Sequence, residues 1–364
     1  MVPRQRFGKC NDFAEFGCYS RTGRAGDFLF FARFRFRQTF GKNLLSVPTM
    51  KNRAVRRTLC ALLVCLGVGT FLPGIAAAKP LLTLLAGGEP DGSKLFMEDL
   101  THLWSRMTQP IPEALTTAIV PEVDRRLRAL SRNRAHFAII TTAQATRLLP
   151  EFRDVAAIGL LWPNYLHALT RDPAVSHVGL PVKGQVTVAA ADRFVLDGLR
   201  EMTLDDSGRE RPPRLAENGA LPAFLAGADE EVFFFTAPVP LEEVSQALER
   251  GDGLRLLAFS GRFVEELRLR YPWLQTATLK RGTYPGMTRH LELPVRYQVM
   301  VGRRDLAAPR VHKMLRALYQ RSPAVAPFNP LFGALNEKTN GAFAKLFPFH
   351  PVAAKKLGFR QEGF

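Results

Sequence analysis

The sequence predicts a globular α/β protein whose core is not built on disulfides or Cys-ligated metals, and one observation supports each part of that prediction. From Lys79 onward, short apolar runs alternate with segments whose apolar residues recur every three or four positions, as strands alternating with helices do. Hydrophobic residues make up 46% of the 364 positions, enough to build a substantial core. All four cysteines precede residue 79, so a disulfide framework or a Cys-ligated metal site is excluded beyond that point.

The first elements set the pattern. A buried strand is predicted at 80–86, a Gly-rich turn at 87–93 and a helix from Lys94 to Met107. Apolar residues one helical turn apart form one face of that helix, namely Phe96, Leu100, Leu103, Trp104 and Met107.

The remaining elements continue the alternation to residue 171, then in a second block that contains a polar break at 205–214, and then in a final block from residue 293. Strands are predicted at 114–120, 136–142, 155–162, 165–171, 185–191, 231–237, 254–260 and 293–303. Helices are predicted at 123–133, 143–149, 192–202, 221–228, 241–251, 262–271 and 308–321. Strands that follow one another through helices favour a largely parallel sheet.

The amino-terminal region has the composition of a targeting segment. From Met50, "MKNRAVRRTLCALLVCLGVGTFLPGIAAAKP" has basic residues, then an apolar run, then small residues, which is the order of a secretory signal peptide. The apolar run of about 15 residues is shorter than the roughly 20 that a membrane-spanning helix needs. We therefore expect 50–78 to be a cleaved signal peptide and the mature protein to be periplasmic.

Residues 1–49 are interpreted as a gene-model extension or a disordered segment, with translation starting at Met50. Their Phe and Arg residues alternate in "FLFFARFRFRQTF", so a nucleic-acid or membrane arm is the alternative interpretation. Most of the net charge of +17 lies before residue 79, where thirteen Lys and Arg residues face three acidic ones. The charge of the remaining chain is mild and does not predict nucleic-acid binding.

Catalytic and metal-binding signatures were sought in the predicted mature chain. The seven histidines lack metal-ligand spacing, a Gly-x-Ser-x-Gly elbow is missing, and acid pairs such as Glu242-Glu243 are explained by helix starts. The turn "GGEPDGSK" has P-loop glycine spacing, but Ser precedes Lys, the reverse of the phosphate-binding order. We therefore predict a protein that is not an enzyme and that uses neither a cofactor nor a metal.

Two segments remain as candidate ligand contacts. The Gly-rich turn would present backbone N–H groups and a helix N-terminus to an anion or carboxylate, and the alternative is that Gly serves only the backbone conformation. The strand "FFFTAPVP" ends in a Thr-Ala-Pro turn. Its aromatic residues either pack in the core or line a crevice at the carboxyl end of a sheet.

Several collinear motifs between residues 79 and 364 resemble the TAXI family, the extracytoplasmic solute receptors that serve TRAP transporters. They include "GTYPGM" at 282–287, "LAGGEPDGS" after the first strand, "VFFFTAPVP" and the C-terminal "LFPFHPVAAKKLGF". The resemblance implies a type II periplasmic binding protein fold, with two α/β lobes joined by two strands that close on a small ligand. Lobe I would comprise 79–170 plus 291–364, and lobe II 171–290.

The resemblance also places a ligand in the cleft between the lobes. The candidate ligand-binding residues are Gly87, Gly88, Gly92, Ser93, Thr141, Thr142, Arg193, Phe235, Thr236 and Tyr284. Tyr284 would cover the ligand from its Pro-Gly turn, and the alternative is that the turn merely packs its Tyr.

One departure from the family bears on the ligand. Family members usually follow the first strand of lobe II with a Gly/Ser-rich loop that holds the ligand's carboxylate, whereas this chain has Ala189-Ala190-Ala191-Asp192-Arg193. Part of the anion site is therefore missing or replaced, with Arg193 as the predicted replacement.

These observations predict a monomeric receptor that captures a small, carboxylated organic solute and delivers it to a TRAP-type integral membrane permease. The alternative is a divergent binding or sensor module that kept the fold without a transport function. Nucleic acid is not expected among its partners.

Overall fold

The computed structural model of the protein describes residues 81–88, 92–107, 113–179, 182–183, 186–199, 203–204, 212–216, 220–227 and 232–360. These residues all belong to one compact unit, 75–364. The predicted signal peptide and residues 1–49 lie outside the described residues.

Fourteen strands are found in the described residues. They are β1 (Leu81–Ala86), β2 (Ala114–Ile119), β3 (Phe137–Thr141), β4 (Val155–Thr170), β5 (His177–Val178), β6 (Val182–Lys183), β7 (Val186–Ala189), β8 (Thr203–Leu204), β9 (Arg214–Ala216), β10 (Val232–Ala237), β11 (Arg255–Leu256), β12 (Ala258–Phe259), β13 (Gln275–Leu279) and β14 (Leu291–Arg303).

Ten α-helices accompany them in the same part of the chain. They are α1 (Ser93–Arg106), α2 (Val123–Ser131), α3 (Thr142–Leu148), α4 (Phe194–Leu199), α5 (Ala220–Leu225), α6 (Glu242–Glu249), α7 (Gly261–Arg270), α8 (Ala308–Leu315), α9 (Pro330–Gly333) and α10 (Pro351–Lys356). A π-helical turn, Arg316–Gln320, extends α8. None of the helices that the structure describes is long and apolar enough to cross a membrane.

The main sheet consists of two half-sheets with the same strand order. In the first half-sheet the order is β2-β1-β3-β14-β4, where β1, β2 and β3 are parallel and β14 is antiparallel to both of its neighbours. In the second half-sheet the order is β9-β7-β10-β4-β11, where β7, β9 and β10 are parallel and β4 is antiparallel to β10 and β11. Each half-sheet therefore has three parallel strands followed by one long strand that runs the other way.

The two long strands, β4 and β14, join the half-sheets. The first part of β4 pairs with β14, and its last six residues, from Tyr165 to Thr170, pair with β10. The sequence predicted two separate strands here, and the structure shows a single strand of 16 residues. Pro163 lacks an N–H, but it lies opposite Tyr297 next to a register shift, where a missing donor is tolerated.

Apolar side chains cover both faces of each half-sheet. Alternate residues of β1, β3 and β14 belong to two separate core clusters of the first half-sheet. In the same way, Val232 and Phe234 of β10 belong to one cluster of the second half-sheet, and Phe233 and Phe235 belong to another. Residues next to each other in β10 therefore face different environments.

The predicted α/β class is confirmed, and the topology is that of two α/β halves that share two long strands, consistent with the type II periplasmic binding protein fold. The predicted change of lobe at 170/171 coincides with the end of β4, and that at 290/291 with the start of β14. Because β4 takes part in both half-sheets and the first residues of β14 pack in a core cluster of the second, the exact lobe boundaries stay a prediction.

Candidate functional site

A group of buried polar side chains lies where the two half-sheets meet. Asp192 follows β7, Thr236 is near the end of β10, and Asn164 and Arg296 lie in the middle of β4 and β14. We call these four residues the junction cluster. The carboxyl ends of parallel strands are the usual ligand-binding edge of an open α/β sheet.

Asp192 is the centre of the cluster. Its Oδ2 accepts a hydrogen bond from the Thr236 backbone N–H (2.7 Å), and its Oδ1 accepts one from the Thr236 hydroxyl (2.5 Å). The Arg296 Nη1 lies 3.0 Å from the same Oδ1, in an ion pair whose side chains are 2% (Asp192) and 11% (Arg296) exposed. Three donors thus converge on one buried carboxylate.

Asn164 adds a polar group without a matching partner. It lies directly opposite Arg296 in the β4–β14 pairing, so both side chains leave the same face of the sheet. Its side chain is fully buried, and neither its Oδ1 nor its Nδ2 has a hydrogen-bond partner among the described residues. A buried amide left in this way costs about 1–3 kcal/mol, so the site carries unused hydrogen-bonding capacity.

The sequence analysis selected Thr236 but missed Asn164, Asp192 and Arg296. A signal was present, because Asn164 and Arg296 are polar residues inside largely apolar strands, where a polar side chain withdrawn from solvent calls for an explanation. Their pairing depends on the sheet register and could not be deduced from spacing.

The Gly-rich turn approaches the second half-sheet. Gly92 has a left-handed backbone (φ 76°) and caps α1; a Cβ placed there would come 3.4 Å from the Pro238 Cγ, just after β10. Gly88 has open space where a Cβ would be, Gly87 is buried, and Ser93 is fully buried at the start of α1. The turn therefore lies close to the end of β10, while residues 89–91 lie outside the described residues.

Thr141 and Thr142 have structural hydrogen bonds. The Thr141 hydroxyl caps α3 by accepting from the Gln144 N–H (3.2 Å), and the Gln144 side chain accepts in return from the Thr141 N–H (3.0 Å). The Thr142 hydroxyl donates to the Trp273 carbonyl (3.3 Å), which precedes β13. This bond ties the first half-sheet's α3 to the segment between α7 and β13.

Arg193 does not take part in the junction cluster. Its side chain is exposed, and the neighbouring Asp192 occupies the buried position instead. The expectation that Arg193 replaces the missing anion loop therefore does not match its placement, because the cation that reaches the cluster is Arg296, from β14.

Tyr284, from the "GTYPG" turn between β13 and β14, is packed in the core of the second half-sheet. It is 1% exposed, its hydroxyl lies 2.9 Å from the His167 Nε2, and it accepts from the Leu241 N–H (3.1 Å). Phe235 is also buried and stacks on the His167 ring at 4.7 Å. This placement favours the alternative in which the turn packs its Tyr, and it puts Phe235 on the face of β10 that Thr236 does not share.

The protonation of His167 follows from its partners. The His167 Nδ1 lies 2.8 Å from the Tyr165 carbonyl, which can only accept, so Nδ1 carries the proton and Nε2 accepts from the Tyr284 hydroxyl. Desolvation by burial lowers the pKa of His167 to about 4 and raises the pKa of the Tyr284 hydroxyl. Both groups are therefore neutral, and every hydrogen-bonding position in this chain of contacts is used.

A separate cavity of about 440 Å³ lies beside α8. It is lined by Pro309, His312, Lys313, Arg316, Gln320 and Lys356, and its charged lining residues are all basic. The Nζ of Lys313 sits over the Trp104 ring at 4.2 Å, and burial lowers the pKa of this lysine. No residue of the junction cluster contributes to this cavity.

Sequence comparison finds one family. Residues 220–357, less than half of the chain, are similar to the NMT1-like family. None of the curated proteins matches the sequence.

Structure comparison finds distant likenesses. The alkanesulfonate-binding protein SsuA from Xanthomonas axonopodis pv. citri, bound to MOPS, is 15% identical, with 78% of this chain and 86% of that chain covered and a TM-score of 0.41. The GluR0 ligand binding core in complex with L-glutamate is 12% identical, with 71% and 100% covered and a TM-score of 0.42. An ABC transporter structure from Parabacteroides distasonis is 14% identical, with 77% and 89% covered and a TM-score of 0.37.

Proposed function

We propose that the protein is a non-enzymatic, extracytoplasmic solute-binding receptor that captures a small, carboxylated organic solute between its two half-sheets. The observation that carries this proposal is the junction cluster, which places carboxylate-binding donors and an unpartnered amide where two α/β halves meet. The similarity to the NMT1-like family over residues 220–357 is consistent with it.

Closure of the two halves would supply the binding mechanism. They are linked through β4 and β14, whose pairing is irregular beside Pro163 and Tyr297, and small rotations at such a point change the distance between Gly92 and Pro238. A solute that contacts both sides shifts the balance between open and closed forms.

Delivery to a TRAP-type permease and export through a cleaved signal peptide belong to the same proposal. Both rest on the resemblance to the TAXI family and on the order of basic, apolar and small residues from Met50. Mass spectrometry of the exported protein should give a mature N-terminus near Lys79, and a mature N-terminus before Met50 would contradict the export proposal.

The binding proposal is tested by a thermal-shift screen of carboxylates and amino acids on the mature protein, followed by calorimetric titration of each compound that stabilises it. We expect saturable binding of at least one small carboxylate, and a smaller radius of gyration by X-ray scattering when that compound is present. A folded protein that binds none of them would contradict the proposal.

A divergent binding or sensor module is the second candidate. The observation that favours it is the replacement of the family's Gly/Ser-rich loop by Ala189-Ala190-Ala191-Asp192, whose carboxylate already occupies the donors. Such a module would bind no small solute in the same screen, and its ligand would be a protein partner.

A further inference from the structure

We infer that Arg296 and the backbone N–H and hydroxyl of Thr236 form a carboxylate-binding site, that Asp192 fills it in this structure, and that the carboxylate of an organic solute replaces Asp192 there. The last step rests on the proposed function. The first two are properties of the chain alone.

The donor set is suited to a carboxylate. A guanidinium, a backbone N–H and a hydroxyl converge on the two oxygens of Asp192 at 3.0, 2.7 and 2.5 Å. Charge-assisted hydrogen bonds of this kind are about twice as strong as neutral ones. The three donors come from β10 and β14, while Asp192 comes from a different segment, so the site remains when the Asp192 carboxylate is removed.

The segment that carries Asp192 is short and lies partly at the surface. It is a three-residue 3₁₀ turn, Ala190–Asp192, and Ala190 before Asp192 and Arg193 after it are both exposed. The side chains of Ala190 and Arg193 therefore do not belong to the buried core. Exchange for a solute carboxylate keeps the number of hydrogen bonds and the charge balance at Arg296 unchanged.

Asn164 is a second, independent observation that points to a ligand. Its fully buried amide has no partner among the described residues, and it lies opposite Arg296 on the same face of the sheet. Asp192 accepts from Arg296 and Thr236 but leaves this amide unused. A solute with a second polar group near its carboxylate satisfies all three residues, which defines the solute class as small carboxylates with a further hydrogen-bonding group.

The test uses formate and acetate as probes of the empty site. Asp192→Ala removes the internal carboxylate, and we expect each probe to raise the melting temperature of this variant saturably at millimolar concentration, compared with chloride at equal ionic strength. The wild-type protein should show no such shift, because its site is filled. The matched control is Asp192→Ala combined with Arg296→Met, which should lose the response to both probes.

A folded Asp192→Ala protein that responds to formate no more than the wild type does would overturn the inference. If Asp192→Ala does not fold alone, its refolding yield with and without formate gives the same decision, since only a carboxylate site restores folding in formate. These readouts need no natural solute. Failure of the solute screen with successful formate rescue would remove the proposed function and leave the carboxylate site intact.

Discussion

Two buried polar groups lie on opposite faces of β10 and differ in how completely they are satisfied. On one face, Phe235 packs with His167 and Tyr284. Both of these polar side chains are neutral, and they are hydrogen-bonded to each other and to the backbone. On the other face, Thr236 belongs to the junction cluster. That cluster contains the ion pair between Asp192 and Arg296, and the Asn164 amide, which has no hydrogen-bond partner in the described structure. Burial alone therefore does not identify a binding site, because a fully hydrogen-bonded network stabilises the fold whereas an incompletely bonded one leaves polar atoms for a ligand.

The largest expected loss of stability comes from breaking the ion pair between Asp192 and Arg296. Arg296→Met leaves the Asp192 carboxylate buried without its cation, and removing one partner of a buried ion pair costs about 3–5 kcal/mol of the free energy of unfolding. Urea unfolding of the variant measures this. Adding Asp192→Leu to Arg296→Met should recover much of the loss, and equal losses in the single and double variants would show that the unpaired carboxylate is not its cause.

The buried, neutral His167 should make the stability of the protein depend on pH. His167 has a pKa of about 4 in the folded protein and near 6.5 when unfolded, so between these values the unfolded chain binds more protons. The free energy of unfolding therefore falls as pH decreases through this window, by up to about 1.4 kcal/mol per pH unit and about 3 kcal/mol in total. Above the window the contribution is fully present.

Burial also lowers the pKa values of His136 and His350, so the effect of His167 must be isolated. The free energy of unfolding of wild type and of His167→Gln is measured with urea between about pH 7 and pH 5. Subtracting one from the other removes the contribution of His136 and His350, which both proteins share. A constant difference across that range would contradict the neutral, buried state of His167.

A smaller loss is expected for Tyr284→Phe. The substitution keeps the ring but leaves the His167 Nε2 and the Leu241 N–H without their partner, at a cost of about 1–3 kcal/mol of stability. Binding of any solute found in the screen should be unchanged, because the ring is in the core. Weaker solute binding at unchanged stability would show that the Tyr284 hydroxyl contacts the solute, in line with the predicted position of Tyr284 over the ligand.

The smallest effect separates the predicted arginine from the observed one. Arg193 is exposed, so Arg193→Ala should change the free energy of unfolding by less than about 0.5 kcal/mol. Solute binding should also be unaffected, in contrast to Arg296→Met. Calorimetric titration of both variants makes the comparison, and a selective loss of binding in Arg193→Ala would reverse the assignment.

The sequence predicted α1 to α8 and most strands because each has its own hydrophobic period, and it did not predict the short helices α9 and α10. The sequence pattern divided β4 into two strands at Pro163. The proline is tolerated there because of a register shift with β14, which the local sequence does not indicate. It overlooked β13, whose alternating half-exposed residues form a weak pattern.

The candidate site was predicted less well for the same reason. Thr236 and Asp192 are 44 positions apart, and they meet only because β7 and β10 are parallel neighbours. The position of Tyr284 in its turn was evident from "GTYPG", but whether the ring faces a ligand or the core depends on His167, in a strand 117 residues earlier. The local sequence indicated Thr236 and Tyr284 as candidates, but their contacts depend on residues far away in the chain.

We propose that the solute binds between the half-sheets at the junction cluster, and hydrogen exchange with and without a solute from the screen can locate the binding site. Added protection is expected in the segments around Asn164, Thr236 and Arg296, because these elements hold the solute and close on it. The helix α8 and its basic cavity should be unchanged. Protection at α8 with none around the junction cluster would show that the solute binds elsewhere.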